Sequence, residues 1–335
     1  PRAQGLMSAP DARGAVVDGS APGEPVHVLG LDIGGTKLAA GVVDSTGRVH
    51  SFLVEATRAE EGPESGLERL FELGRAAVDE AALDWDSITA VGIGSGGPLD
   101  AQAGVIVGPP HLPGWRDVPV SSWAEAAYGL PVALENDATA AAAGEHRYGA
   151  GAGTSHLVYL TISTGVGGGI VIDGRLYRGA TGNGGELGHV TVDCSGRPCR
   201  GCGRKGCLEA YVSGTSISER AREAGLGEVT ASEVAAAAAA GDAAAAEVWD
   251  ATTEALACGL TSIVNLFEPQ LVVLGGGVVS GTGEQLLGPV RERVRDEAMG
   301  PAGGAARIVA AALGPQVGVV GAAAIALDRV PAARR

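Results

Sequence analysis

The apolar residues of VHVLGLDI, Val26 to Ile33, run in a short block that stops at two glycines, the pattern of a strand entering a tight turn. TKLAAGVVDSTGRVHSFLVEATR supplies two more strands around a turn at Asp44 to Gly47, so the chain opens with an antiparallel meander. From Glu64 to Leu83 the period lengthens: Leu67, Leu70, Phe71, Leu73, Gly74, Ala77 and Val78 share one face of a helix. ITAVGIGSGGPLD predicts a fourth strand ending in a glycine turn. LPVALEND predicts a fifth, leading into an Ala-rich helix over Ala138 to Tyr148.

A similar order then restarts. SHLVYLTISTGVGGGIVIDGRLYRG reads as strand, glycine turn, strand, turn and the start of another strand. Long helical stretches follow, among them the Ala-rich Ala231 to Ala246, which fits helix propensity and reads as scaffold. QLVVLGGGVV predicts a strand, Glu284 to Glu297 a helix, Ala306 to Ala311 a strand and Val319 to Leu327 a last helix. Two halves that each open with strand, glycine turn, strand imply a duplicated α/β unit with a cleft between the copies.

Composition narrows the partners. The 335 residues carry a net charge of −15, and only Lys37 and Lys205 are lysines. An electrostatic grip on nucleic acid or on an anionic membrane needs a basic face, so neither is expected. No apolar run approaches the roughly 18 to 20 residues that span a bilayer. Residues 1–25, rich in Gly, Pro, Ala and Asp, read as a disordered tail without a signal core. A cytoplasmic location is expected, and there clustered cysteines more often bind metal than pair as disulfides.

Four stretches carry candidate chemistry. In DIGGTK the glycines Gly34 and Gly35 let backbone N–H groups approach a phosphate, with Thr36 and Lys37 adding polar contacts, although a plain hairpin turn has the same sequence. TISTGVGGGI repeats the arrangement in the second half, and the pair could hold a polyphosphate between them. Neither fits the dinucleotide fingerprint or the Walker spacing. ENDATAAAAGE puts Asn136 and Asp137 at a strand-to-helix junction, where either could cap the helix or Asp137 could take a proton from a substrate hydroxyl. In GGELGHVTVDCSGRPCRGCGRKGCLEA, Cys199, Cys202, Cys207 and His189 supply three thiolates and an imidazole, enough to close a tetrahedral structural zinc site. A redox Cys-x-x-Cys pair or loose thiols are the alternatives, and Cys194 and Cys258 read as spare or buried thiols. Glu186 and Glu209 bracket the ligands. They are either solvated surface charges or, with His189, a set that accepts and donates hydrogen bonds to vicinal hydroxyls.

DIGGTK, ENDATAAAAGE, STGVGGGI, GELGH and CGRKGCLE, in this order and at these intervals, resemble the ROK family of bacterial sugar kinases and related repressors, from Val28 to Leu327. The resemblance implies a two-domain actin-like and hexokinase-like ATPase fold, a duplicated ribonuclease H-like unit with ATP and a hexose meeting in the interdomain cleft. It sets residues 26–135 plus 316–335 as a smaller domain and 136–315 as a larger one with the zinc loop. By this resemblance Asp137 is the catalytic base. Gly97, Asn136, Glu186, His189 and Glu209 bind the sugar, with one His189 nitrogen on zinc and the other on a hydroxyl. Asp32, Gly34, Gly35, Thr36, Thr164 and Gly165 form the phosphate turns and the Mg²⁺ neighbourhood, and Gly275 to Gly277 a nucleotide-binding turn. One departure is the second residue, Gly201 after Arg200, between the first two cysteines, where the family usually has one.

Glucose is the expected hexose, with N-acetylmannosamine, N-acetylglucosamine, fructose and allose as alternatives, and ATP is preferred to polyphosphate as donor. The family's repressors carry a winged helix-turn-helix ahead of the kinase-like body, which about 25 residues cannot form. A sensor without catalysis is the alternative of another class. A homodimer or homotetramer is expected from family habit.

Overall fold

The computed structural model describes residues 24–330, so the expected tail lies almost wholly outside the described residues. The first half is built from β1 (His27–Ile33), β2 (Lys37–Asp44), β3 (Leu53–Ala56), α1 (Gly62–Glu80), β4 (Ile88–Ser95), the short pair β5 (Leu99–Asp100) and β6 (Val105–Ile106), α2 (Val120–Tyr128) and β7 (Val132–Asn136). Helix α3 (Asp137–Tyr148) leads into β8 (Leu157–Ile162), β9 (Val166–Ile172) and β10 (Arg175–Leu176). After the cysteine loop come α4 (Glu209–Val212), α5 (Gly214–Glu223), α6 (Ala231–Ala239) and α7 (Ala243–Phe267). The chain closes with β11 (Leu271–Gly275), α8 (Gly277–Thr282), α9 (Glu284–Glu297), α10 (Ala302–Ala305), β12 (Arg307–Ala310) and α11 (Val317–Leu327).

The duplication is visible in the strand order. One sheet runs β3-β2-β1-β4-β7 and the other β10-β9-β8-β11-β12. In each, two antiparallel pairings build the opening meander and two parallel pairings extend it. This is the duplicated unit of an actin-like ATPase fold, in two mixed α/β halves.

Helix α11 belongs in space to the first half. It packs on β1, β4 and α3, with Val319, Val320, Ile325 and Leu327 buried, each contributing roughly 1.5–3 kcal/mol. Gly30, Gly41 and Gly92 on the strands beneath it leave room for Val319 and Ala322, so sheet and helix approach closely. Each of the two chain crossings between the halves is held by one residue, Glu145. Its wholly buried carboxylate accepts Ala150 N on the first crossing (2.8 Å) and Ala312 N and Leu313 N on the second (2.9 and 2.8 Å).

Two readings of the pattern change. The Ala-rich Ala231 to Ala246 is split between α6 and α7: Gly241 takes φ +90° and Asp242 caps α7 by accepting Ala245 N (2.9 Å). The apolar QLVVLGGGVV is strand only to Gly275, and helix α8 begins at Gly277.

Candidate active site at the cleft

The carboxylates of the first half stand at the ends of its central strands. Asp32 is the penultimate residue of β1, Asp137 starts α3 directly after β7, and β4 lies between, with Asp32 opposite Gly94 and Asn136 opposite Ser95. A Cβ at Gly94 would sit 3.6 Å from Asp32 Oδ1 and 3.8 Å from Asp137 Cα, so the two acidic residues flank one glycine. Burial, and then the charge of Asp137, push the Asp32 carboxyl up to about 7. Burial likewise raises Asp137, with Ala138 N and the His111 imidazole opposing it.

Both readings of the strand-to-helix junction hold at once. Asn136 caps α3, its Oδ1 accepting Ala138 N (3.0 Å) and Thr139 N (3.1 Å), and Asp137 Oδ1 accepts Ala138 N (2.8 Å). The cap leaves the Asn136 amide nitrogen beside Gly97, 3.6 Å from where a Cβ would stand. His111 was not anticipated. A Cβ at Gly35 would meet its carbonyl oxygen at 2.9 Å and its ring at 3.0 Å, and the ring also fills the space above Gly96. It therefore joins the first glycine turn to the end of β4. The only sequence signal was a lone histidine in the rigid loop GPPHLPGW.

The two glycine turns are braced differently. In the first, Gly34 N donates to Lys37 O (2.9 Å), while the buried Thr57, also missed, donates its hydroxyl to Gly34 O (2.6 Å) and its amide to Thr36 O (3.0 Å). Thr36 and Lys37 are exposed at its tip. In the second, Ser163 N donates to Gly165 O (2.9 Å), Gly214 N to Ser163 O (2.7 Å) and Val166 N to Glu209 Oε2 (3.0 Å).

A cavity of about 530 Å³ opens beside this second turn, walled by Ser163, Thr164, Gly214, Thr215, Gly277 and Val278. Its size suits a small-molecule cofactor. Of the expected nucleotide-binding glycines, Gly277 lines it. Gly275 ends β11 against Tyr159, and Gly276 takes φ +89° where a side chain would strike Ile162. Arg200, in the widened cysteine spacing, reaches the rim and pairs with Glu219 (2.6 Å).

His189, Cys199, Cys202 and Cys207 offer ligand atoms that all lie within 4.8 Å of one another. Cys202 Sγ and Cys207 Sγ are 3.5 Å apart, too far for a disulfide at about 2.05 Å, and Cys199 Sγ is 3.6 Å from His189 Nδ1. These separations approach the edge of a tetrahedron built on Zn–S bonds of about 2.3 Å, so the donor set fits zinc. Burial, reinforced by Glu209, pushes the Cys199 thiol up to about 12. Cys194 and Cys258, expected to be spare or buried, are both exposed.

His189 presents its other nitrogen, Nε2, 3.9 Å from Glu186 Oε2, and Glu186 is 60% exposed. Glu209 is not free in this state: Oε2 holds Val166 N and Oε1 accepts from Cys199 Sγ (3.2 Å). It ties the cysteine loop to the second glycine turn. Strand β9 touches both segments: Gly167 packs on Ala138, next to Asp137, and Gly168 packs on Leu187, next to Glu186. Across the cleft Arg178 Nε donates to the buried Glu135 (2.6 Å), one residue before Asn136.

A family model described as the ROK family matches residues 28–329. A glucokinase from Thermotoga maritima is 37% identical over 319 residues, covering 91% of this chain and 98% of that protein. Among solved structures, a ROK hexokinase from Thermus thermophilus is 41% identical with a TM-score of 0.79, covering 90% of this chain and 98% of that one. A ROK family glucokinase from Streptomyces griseus, in complex with glucose and AMPPNP, is 36% identical with a TM-score of 0.75 and coverages of 90% and 99%.

Proposed function

This chain belongs to the ROK family and is a sugar kinase, and from that premise we propose that it transfers the γ-phosphoryl group of ATP to the C6 hydroxyl of glucose. The observation that carries the reading is the near full-length match to glucokinases in a chain whose Asp137 stands beside Asp32 at the cleft.

In this reading Asp137 accepts the proton of the sugar hydroxyl as that oxygen attacks in line. Burial raises its affinity for a proton, which suits a group that must take one as the bond forms. Asn136, Glu186 and His189 hold the sugar hydroxyls, with Gly97 leaving space beside Asn136, and His111 braces the first turn against the end of β4. Glu209 acts through the loop it fastens. Gly34, Gly35, Thr36 and Lys37 on one side and Thr164 and Gly165 on the other approach the phosphates, and the adenosine end occupies the cavity walled by Gly277. Asp32, which has no ion pair among the described residues and stands beside Asp137, fits Mg²⁺, which when bound supplies positive charge against the phosphates. Zinc held by His189, Cys199, Cys202 and Cys207 would supply a rigid fold for the loop and fix which His189 nitrogen faces the sugar. The two halves, joined at the crossings near Ala150 and Ala312, close on the substrates as two bodies.

The test is ADP release across glucose, fructose, allose, mannose and the N-acetylhexosamines, with Mg²⁺ and a no-sugar control. Glucose turning over at least tenfold faster than the rest is expected. Preference for an N-acetylated sugar would keep the kinase and replace its substrate, and silence across the panel would end the catalytic reading.

A further inference from the structure

Among the described residues a second group of metal-ligating side chains lies away from the cleft: His27, Asp44 and His50, whose ligand atoms are all within 4.8 Å of one another. All three are placed by backbone hydrogen bonding. His27 starts β1 and lies opposite Asp44 at the end of β2 in the antiparallel register. The chain then turns, and His50 N donates to Val42 O (2.8 Å), returning the second imidazole alongside the pair. The two rings meet edge to face with centroids 5.0 Å apart.

Asp44 is oriented as a ligand carboxylate would be. Its Oδ1 is held by Thr46 N (2.8 Å), Thr46 Oγ1 (2.5 Å) and Arg48 N (3.2 Å), which fixes Oδ2 toward His50 Nε2 at 2.8 Å. Such outer hydrogen bonds are what position first-row metal ligands. Asp44 is 3% exposed, while both histidines are half-buried, so an ion can enter from solvent. Asp32 is five residues further along β1, about 16 Å at the rise of a strand, so the group is remote from the transfer chemistry.

We propose that His27, Asp44 and His50 form a second metal site, independent of the cysteine loop, that takes a divalent transition ion of the zinc class and fastens the β1–β2 hairpin at the end opposite the cleft. Two imidazoles and one carboxylate select zinc, cobalt or nickel over the oxygen-seeking magnesium and calcium, and leave a position for water. Binding exchanges the His50–Asp44 hydrogen bond for coordination bonds, and any proton on His50 leaves to solvent.

The experiment is a Co²⁺ titration of the full chain with its cysteine loop first filled by one equivalent of Zn²⁺, followed by visible absorption and by thermal unfolding. One equivalent with ligand-field bands but no thiolate-to-cobalt charge transfer, and a raised Tm, is expected. His27→Gln and His50→Gln should each weaken this binding at least tenfold, and His156→Gln, at the exposed His156–Asp173 pair, should leave it unchanged. His27→Gln is the decisive variant because it preserves the Asp44–His50 hydrogen bond, so its Tm before cobalt is added should match the parent. Equal cobalt binding by parent and His27→Gln, spectra dominated by thiolate charge transfer, or no binding by the parent would each overturn the proposal.

Discussion

The two halves share a strand order and differ in chemistry. Asp32 and Thr161 occupy the same place, the penultimate residue of a central strand, paired with Gly94 and Gly275 on the parallel neighbour. The first half then leaves β7 through Asn136 and Asp137, whereas the second leaves β12 through Ala311 and Ala312. At the ends of the central strands, carboxylates thus stand in the first half alone, while the carboxylate of Glu209 beside the second turn is already engaged by Val166 N and Cys199 Sγ. Acidic groups on both walls would repel a polyphosphate at every approach. Duplication provides two glycine turns, and in the proposed function the asymmetry would let one wall manage proton and cation while the other receives the anion.

The largest expected effect comes from breaking the acidic wall. Asp137→Asn should lower kcat by roughly three orders of magnitude, the scale of general-base catalysis, with glucose affinity by calorimetry within a few fold of the parent. Turnover within tenfold of the parent would remove Asp137 from that role. Glu209→Gln attacks the other wall. Because Glu209 joins Val166 N to the cysteine loop, the variant should raise KM for ATP by about tenfold, a loss near 1.4 kcal/mol, with a smaller change in kcat. An effect confined to the KM for sugar would mean that Glu209 acts on the sugar directly.

The asymmetry also has a pH signature. A base whose pKa is raised by burial stays protonated to higher pH, so kcat at saturating MgATP should fall as pH drops through a value above the usual Asp range. A rate flat down to about pH 4, the ordinary aspartate value, would contradict a buried base. The smallest effect is expected at the first turn. Thr57→Val leaves Gly34 O without its hydroxyl donor, which should cost about 1–3 kcal/mol in denaturant unfolding and change kcat only a few fold.

What the chain pattern disclosed was local or periodic. Both glycine turns, the strand-to-helix junction at Asn136 and Asp137, and the Cys199, Cys202, Cys207 and His189 set all lie in short runs whose spacing carries the chemistry. What it concealed depends on residues far apart in the chain. Thr57 braces Gly34 from 23 residues away, Glu145 reaches Leu313 across 168, and His111 meets Gly35 through a loop without period. The sequence also does not show that both oxygens of Glu209 are engaged, by Val166 N and by Cys199 Sγ. The break between α6 and α7 rests on the single glycine Gly241 and its neighbour Asp242, too faint a mark against a surrounding run of alanines.

The placement of α11 has a consequence in time. The second sheet lies wholly within residues 157–310, whereas the first sheet receives one of its covering helices only from residues 317–327. A ribosome adds about 5–20 residues each second, so β1 and β4 wait with an apolar face uncovered while the whole second sheet is made between them and α11. The strand that bears Asp32 is therefore made well before the helix that buries it. A growing chain completes the acidic wall of the cleft only once α11 has emerged.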